Sequence, residues 1–152
     1  MKWVTRARPV IDRIACPWLI ARFIDEKPEF LFVPPAEVQG VAAATGAIPF
    51  DIPGVALTHR GEGCSFDSFL EDYGLLDSAL HELTRIVRGA DTERLDLAPQ
   101  SAGLLAISLG LRSSFADDHE VLRHGFVLYD ALYLWCRELR PEAHRWPPKM
   151  TA

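Results

Sequence analysis

Arginine and cysteine side chains concentrate at the first strand-to-helix junction of the sequence. Arg6 lies near the end of a predicted strand, and Arg13 precedes a predicted helix start at Cys16 and Pro17. Helix N-termini expose unpaired N–H groups, and the planar fork of arginine suits tetrahedral oxyanions. The junction is therefore typical of an anion site, where the pKa of an exposed Cys16 thiol would be lowered. The alternative is that the arginines pair with nearby acids and that Cys16 is a small core residue.

A second group of reactive side chains lies in residues 59–67, HRGEGCSFD. His59 follows a predicted strand, two glycines free the backbone, and Cys64 precedes the next helix start. With Glu62 and Asp67 they offer metal-ligand types, although their spacing matches no standard zinc or iron signature. No Gly-Lys-Ser/Thr follows the glycines, so the segment is not a phosphate loop. His59 and Cys64 are ligand-binding candidates, with a structural loop as the alternative.

A third group stands at the start of the last long helix. At 100° per residue, Asp117 and His124 fall on the same side as Val121 and the other apolar residues of that helix. A metal site shared with His59 would place them there, which gives the candidate set His59, Asp117 and His124. The alternatives are that Asp117 and Glu120 form a capping box and that His124 has a buried hydrogen-bond partner.

These groups depend on a succession of single elements. Apolar and β-branched runs bounded by proline and glycine predict strands at residues 3–8, 29–33 and 55–59, with residues 48–54 irregular. The first helix could begin at Asp12, but Pro17 favours a start at Cys16. Helical periodicity and capping residues predict helices ending near residue 25 and over 66–73, 77–88 (closed by Gly89), 99–113 and 117–139, with 38–45 either helix or loop.

The length and composition indicate one domain over residues 1–152. The chain is 49% hydrophobic and 24% charged, which suits a domain with a real core. Strand patterns stop near residue 60 and helical patterns follow. The predicted fold class is therefore α+β, with a small sheet from the first ~60 residues packed against a mainly helical second half.

Charge and cysteine usage exclude several functions. A formal net charge of −5 leaves no broad basic face, so direct nucleic-acid binding is not expected. The longest apolar run, residues 102–111, is half of a membrane span, and the N-terminus has no secretory h-region, so we expect a cytoplasmic protein without membrane contact. Three cysteines without a CxxC pair indicate reduced thiols rather than disulfides or a zinc ribbon.

Long motifs in the sequence resemble the C-terminal domain of the ChrB-type chromate-resistance family. They cover nearly the whole chain and read KWVTRARPVIDRIACPWLIARFID, EFLFVP, PFDIPGVALTHRGEGCSFDSFL, IVRGADTERLDLAPQSAGLLAISLGL, ADDHEVL and LYDALYLWCR. The resemblance implies a role in bacterial chromate resistance, where longer members act as chromate-responsive transcriptional regulators. This sequence starts directly at the C-terminal domain, so regulation by this chain alone is not expected.

The resemblance also implies an oxyanion ligand. We therefore expect a domain that binds or senses chromate or a related oxyanion through Arg6, Arg13 and His59, with Cys16 or Cys64 as a reductant or redox sensor. One alternative is a metal- or thiol-dependent redox enzyme with a bound transition metal, so the sequence leaves open whether the protein is an enzyme. Another is a non-catalytic domain that binds a separate regulator or forms a homodimer.

Overall fold

A three-stranded parallel sheet forms from the first 50 residues. In the computed structural model of the protein, which describes residues 1–148, the strands are β1 (Lys2–Arg6), β2 (Glu29–Val33) and β3 (Ile48–Pro49). The strand order is β2-β1-β3, and the register of β1 with β2 runs from Lys2 opposite Glu29 to Arg6 opposite Val33. The carboxyl end of β1 therefore delivers Arg6 to one end of the sheet.

Helices connect the strands and make up the rest of the domain. This arrangement confirms the predicted α+β class, with the sheet in the first part of the chain and a mostly helical second half. No helix within residues 1–148 is long and apolar enough to cross a membrane. The helices are α1 (Asp12–Leu19, continued by a π-helical turn at Ile20–Ile24), α2 (Val38–Thr45, after a 3₁₀ turn at Pro35–Glu37), α3 (Ser65–Asp72), α4 (Ser78–Asp91), α5 (Ser101–Ser114) and α6 (Asp118–Leu134, continued by a π-helical turn at Trp135–Leu139).

The central strand β1 is buried on both faces. Trp3 points into the main core and Val4 into a smaller cluster with Val38 of α2, because successive side chains of a strand alternate between its faces. Helix α1 packs against both α3 and α6. The main core therefore surrounds α1 and fixes the position of its first residue.

The first helix begins earlier than predicted. It starts at Asp12, after Ile11 in a positive-φ conformation (φ 49°), and Pro17 lies inside it. The predicted start at Cys16 is wrong, because tertiary contacts of the Asp12 carboxylate outweigh the local preference of proline for a first helical position.

Three further element predictions are wrong. Residues 55–59 form no strand and contribute an isolated bridge between Leu57 and Phe50, whereas Ile48–Pro49, predicted irregular, pairs with β1. An edge strand tolerates Pro49 because the missing N–H can face away from its neighbour. Gly89 does not close α4. It lets Ser101 and the Arg94 carbonyl approach the helix, which continues to Asp91.

Candidate functional site

Three carboxylates surround the imidazole of His59. The Nε2 atom lies 2.8 Å from Oδ2 of Asp91, 3.5 Å from Oδ2 of Asp12 and 3.5 Å from Oδ1 of Asp51. We call these four residues the His59 cluster. Within residues 1–148, Asp12, His59 and Asp91 form the group of metal-ligating types whose ligand atoms all lie within 4.8 Å of one another.

The cluster joins four distant parts of the chain. Asp12 is the first residue of α1, Asp91 the last of α4, Asp51 follows β3, and His59 lies in the loop before α3. Asp12 is completely buried, whereas 42% of the His59 side chain is exposed. The carboxylates therefore form the floor of the site and the imidazole its accessible edge.

Two of the non-glycine residues with positive φ lie in the cluster or directly beside it. Ile11, directly before Asp12, has φ 49° and Asp51 has φ 51°. Such conformations cost of order 1–3 kcal/mol each for residues with a side chain and persist only where surrounding contacts hold them. The contacts of Asp12 and Asp51 supply that restraint.

Ser65 connects two of the carboxylates. As the first residue of α3 it donates its backbone N–H to Oδ2 of Asp12 at 2.7 Å and its hydroxyl to Oδ1 of Asp51 at 2.7 Å. The N-terminus of a helix carries a partial positive charge, which favours nearby anions. Helix α3 thus stabilises the buried acids.

Arg6, Arg13 and His59, which were expected to bind an oxyanion, lie around a common acid, Asp51, that the sequence patterns had not singled out. Arg6 donates Nη2 to Oδ2 of Asp51 at 3.0 Å and Nε to its backbone carbonyl at 3.1 Å. Arg13 places Nε 3.4 Å from Oδ2 of Asp51 and donates Nη1 to the carbonyls of Arg6 and Ala7. Asp51 is thus the counter-ion of both arginines.

Two members of the cluster, His59 and Asp91, have raised pKa values, whereas the pKa of Asp51 is lowered. Hydrogen bonds to Asp12 and Asp51 raise the pKa of His59 to about 10, although partial burial opposes this. Burial, and then the charges of Asp12 and Asp51, raise the pKa of Asp91 to about 8. Burial alone would raise the pKa of Asp51, but hydrogen bonds from His59 and Ser65 and the two arginines lower it. At neutral pH we therefore expect a protonated His59, an ionised Asp51 and a largely protonated Asp91.

Two cavities reach the cluster through His59. One has a volume of about 420 Å³ and is lined by Arg6, Asp51, Thr58 and His59 among others. The second, of about 450 Å³, is lined by His59 together with Glu62, Asp67, Arg88, Thr92 and Arg94 among others. A small ion can therefore approach the imidazole from either side.

The two candidate cysteines lie near the cluster as buried thiols. Cys16 and Cys64 are both completely buried. Burial, and then the charge of Asp12, raises the pKa of each thiol. The lowered pKa was expected only for an exposed Cys16, whereas the structure has Cys16 as a small core residue, which was the alternative. Cys16 lies within α1 rather than at its start, where the helix N-terminus would favour a thiolate.

Asp117 and His124 do not belong to the group formed by Asp12, His59 and Asp91. Asp117 caps α6 by accepting the N–H of His119 at 2.8 Å, and the His124 ring stacks on Phe115. The buried face of α6 carries Val121, Leu122, Gly125 and Tyr129, one position away from the predicted face, so the His124 side chain is 39% exposed.

The sequence patterns missed Asp12 and Asp91 as candidate ligands, and Asp51 and Ser65 as their neighbours. Asp12 was expected to cap a helix or pair with arginine, and the predicted end of α4 at residue 88 left Asp91 outside the helix. Asp51 and Ser65 are single polar residues in apolar surroundings, IPFDIPG and GCSF. A polar residue in apolar surroundings is buried only when it has a partner. This is the one sequence feature that could have identified Asp51 and Ser65.

Two comparisons with known proteins find relatives of this chain. The family model for the ChrB C-terminal domain matches residues 3–136, which include the whole His59 cluster. Protein ChrB from Cupriavidus metallidurans is 34% identical over 134 residues, which cover 87% of this chain and 40% of that protein. The chain thus matches less than half of the length of this relative, and no solved structure matches it. The chain belongs to the ChrB C-terminal domain family.

Proposed function

We propose that this domain acts in bacterial chromate resistance and that its His59 cluster binds a divalent transition-metal ion. The membership of the ChrB family supports the first part of the proposal. The observation that carries the second part is the convergence of the ligand atoms of Asp12, His59 and Asp91 within 4.8 Å.

The donor set fits a first-row transition metal. Imidazole nitrogen suits zinc, iron and nickel, and carboxylate oxygen suits manganese, so one His with two Asp offers a mixed site. Metal–ligand bonds of about 2.0–2.2 Å place neighbouring ligand atoms roughly 3–4 Å apart. The separations of 2.8 Å and 3.5 Å between His59 Nε2 and the two acids lie close to that range.

The charges of the cluster favour the same ion. Arg6 and Arg13 already neutralise Asp51, which leaves Asp12 and Asp91 facing a single imidazole. A divalent cation that replaces the protons of His59 and Asp91 would make a neutral unit with the two carboxylates. Because uncompensated charges are costly to bury, such neutrality favours binding in a largely buried site.

Metal titration tests this proposal. Isothermal titration calorimetry with Mn²⁺, Zn²⁺ and Co²⁺ should give one saturable site in the wild-type protein, and a metal at 100 times its Kd should stabilise the fold by about 2.7 kcal/mol. Asp91→Asn should abolish the site. Asp72→Asn, which alters an exposed acid paired with Arg60, is the matched control and should bind like the wild type. No saturable binding by the wild-type protein would contradict the proposal.

Binding of chromate or a related oxyanion is the second candidate function, and the cavity of about 420 Å³ favours it. Arg6, Thr58 and His59 line this cavity and bring two cationic side chains and one hydroxyl to it. Asp51 competes for the same arginine, so an oxyanion would depend on the positive charge of the protonated His59 or of a bound metal. The metal ion and the oxyanion would therefore both contact His59.

Titrating chromate and sulfate into metal-free and metal-loaded protein separates these cases. Arg6→Gln should weaken oxyanion binding about 10-fold or more, since charge-assisted hydrogen bonds contribute about 1.5–3 kcal/mol. Arg123→Gln, at an exposed pair with Glu120, is the control. Equal affinities for Arg6→Gln and wild type would rule out this cavity as the oxyanion site.

Thiol-dependent chemistry has weaker support. The thiolate is the reactive form, and burial of Cys16 and Cys64 raises the pKa of both thiols.

Binding to a separate regulator, formation of a homodimer and a cytoplasmic location stay predictions from the sequence and the family.

A further inference from the structure

We infer that Ser65 is a positioning residue of the His59 cluster, holding Asp12 for the metal through its backbone N–H and Asp51 for the arginines through its hydroxyl. This inference rests on the proposed metal site. Ser65 contributes no ligand atom to the metal. Its two hydrogen bonds have different roles and can be removed separately.

The geometry makes Ser65 the link between two charged groups. Ser65 is completely buried, and its backbone N–H and its hydroxyl each lie 2.7 Å from a carboxylate oxygen. Asp12 belongs to the candidate metal ligands, whereas Asp51 pairs with Arg6 and Arg13. Ser65 thus holds two like charges at a fixed separation, which neither acid could maintain alone.

The N–H bond to Asp12 is the more important of the two for a metal. Among the described residues, Asp12 receives this bond at 2.7 Å, a longer contact from His59 at 3.5 Å and a weak one from the Cys16 thiol at 4.0 Å. It also shares a hydrogen bond with the carboxyl of Asp91, which loses its proton when it binds a metal. When His59 turns its Nε2 lone pair to a metal, it can no longer donate a proton to Asp12. The Ser65 N–H then remains the short bond that orients the Asp12 carboxylate.

Two substitutions at position 65 separate these bonds. Ser65→Ala removes the hydroxyl and leaves the N–H. Ser65→Pro removes both donors, and proline is well tolerated as the first residue of a helix. The preceding residue, Cys64, has φ −89° and ψ 179°, an extended conformation that is compatible with a following proline. The difference between the two variants therefore reports the N–H bond to Asp12.

The test compares metal affinity and the visible spectrum of Co²⁺ bound to each variant. Partners that orient a metal ligand typically contribute 10- to 100-fold in affinity, so Ser65→Pro should weaken Zn²⁺ and Co²⁺ binding by about that factor. Its Co²⁺ spectrum should also change, because the Asp12 ligand is no longer held. Ser65→Ala should lose less than about 3-fold and keep the wild-type spectrum, since Asp12 keeps its donor.

Ser78→Pro is the matched control. Ser78 is the exposed first residue of α4 and follows an extended Asp77, so the substitution makes the same chemical change at another helix start. It should leave metal affinity unchanged. If wild type binds metal and Ser65→Pro matches Ser65→Ala in affinity and spectrum, the inference is wrong. If wild type binds no metal, the proposed function fails first.

A measurement on the wild-type protein does not depend on the folding of any variant. Zn²⁺ should shift the backbone amide resonance of Ser65 in a ¹H–¹⁵N correlation spectrum, because the acceptor of that N–H becomes a metal ligand. The amide of Ser78 should not move. Saturation with Zn²⁺ without a shift at Ser65 would overturn the inference.

Discussion

Gly125 of α6 packs directly against Ile14 of α1, so closely that a Cβ atom at position 125 would overlap the Cγ2 atom of Ile14. The Ile14 side chain is completely buried, and the neighbouring helix leaves it no room to move. Because Asp12 stands at the start of α1, this contact between helices also helps to set the position of a cluster carboxylate. Gly125 therefore helps to position the proposed metal site, although it has no side chain.

Gly125→Ala should destabilise the domain by about 1–3 kcal/mol, the usual effect of adding volume to a packed core. Gly110→Ala is the control, because Gly110 lies in the middle of α5 with nothing within 4 Å of an added Cβ. That control should stabilise by about 0.5–1 kcal/mol through helix propensity. Urea unfolding measures both, and effects of the same sign would contradict the packing argument.

Asp51→Asn should destabilise the protein by about 3–5 kcal/mol, because it leaves Arg13 partly buried without its carboxylate. The Arg13 side chain is 13% exposed, so water cannot replace the lost partner fully. Asparagine tolerates the positive φ of position 51, so the substitution changes the charge and not the backbone.

Asp72→Asn is the reference for this measurement. Asp72 pairs with Arg60 at the surface, where an ion pair contributes about 0–1 kcal/mol. Thermal unfolding of both variants should show a large loss at position 51 and a small one at position 72. Losses of equal size would show that the Asp51 pairs are no stronger than a surface contact.

Asp67→Asn should lower stability at neutral pH and lose this effect in acid. Burial alone would raise the pKa of Asp67, but hydrogen bonds from Arg88, the Cys64 N–H and Thr84 lower it. A carboxyl with a lowered pKa in the folded state stabilises the fold above its unfolded pKa of about 3.9, and this contribution is lost as the pH falls through the folded pKa. The free energies of unfolding of the variant and the wild type should differ by about 1–3 kcal/mol at pH 7. This difference should shrink below about pH 4, as the pH falls through the folded pKa of Asp67. A constant difference across this range would contradict the ionised state of Asp67.

Cys16 and Cys64 should resist alkylation in the folded protein. Both are completely buried, and burial raises the pKa of both thiols. Iodoacetamide should modify them at least ~100-fold more slowly in buffer than in urea, because the thiols become accessible only when the structure opens. Mass spectrometry of peptides locates the modified residue. Rapid labelling of Cys64 in native buffer would instead support thiol chemistry at the site.

The parts of the structure that follow from local patterns were predictable from the sequence. The strand at residues 29–33 and the helical second half follow from hydrophobic periodicity and from proline and glycine positions. Arg6, Arg13 and His59 were proposed as oxyanion ligands from side-chain chemistry and the family resemblance, and the structure places all three beside Asp51. Contacts between distant segments were not predictable, because no local pattern records that Asp12, Asp51 and Asp91 meet at one histidine.

The end of α4 shows why one such contact was missed. Gly89 has the form of a helix stop, so the prediction ended the helix there and left Asp91 in a loop. The glycine is present because Ser101 packs where its side chain would lie, and the helix continues to Asp91. A glycine used for close approach and a glycine used as a cap look the same in a single sequence.

The balance of charges in the cluster yields a last prediction, for protein kept metal-free with EDTA. His59→Gln removes the cation that faces Asp12 and Asp51 and also the ring nitrogen in contact with Asp91, so the fold should lose stability. Asp91→Asn in the same chain removes one of the acids. The double variant should therefore be more stable than the sum of the two single losses, with a coupling of about 0.5–3 kcal/mol. Urea unfolding of the four proteins gives the coupling directly. Additive losses would mean that His59 and Asp91 do not interact across their 2.8 Å separation.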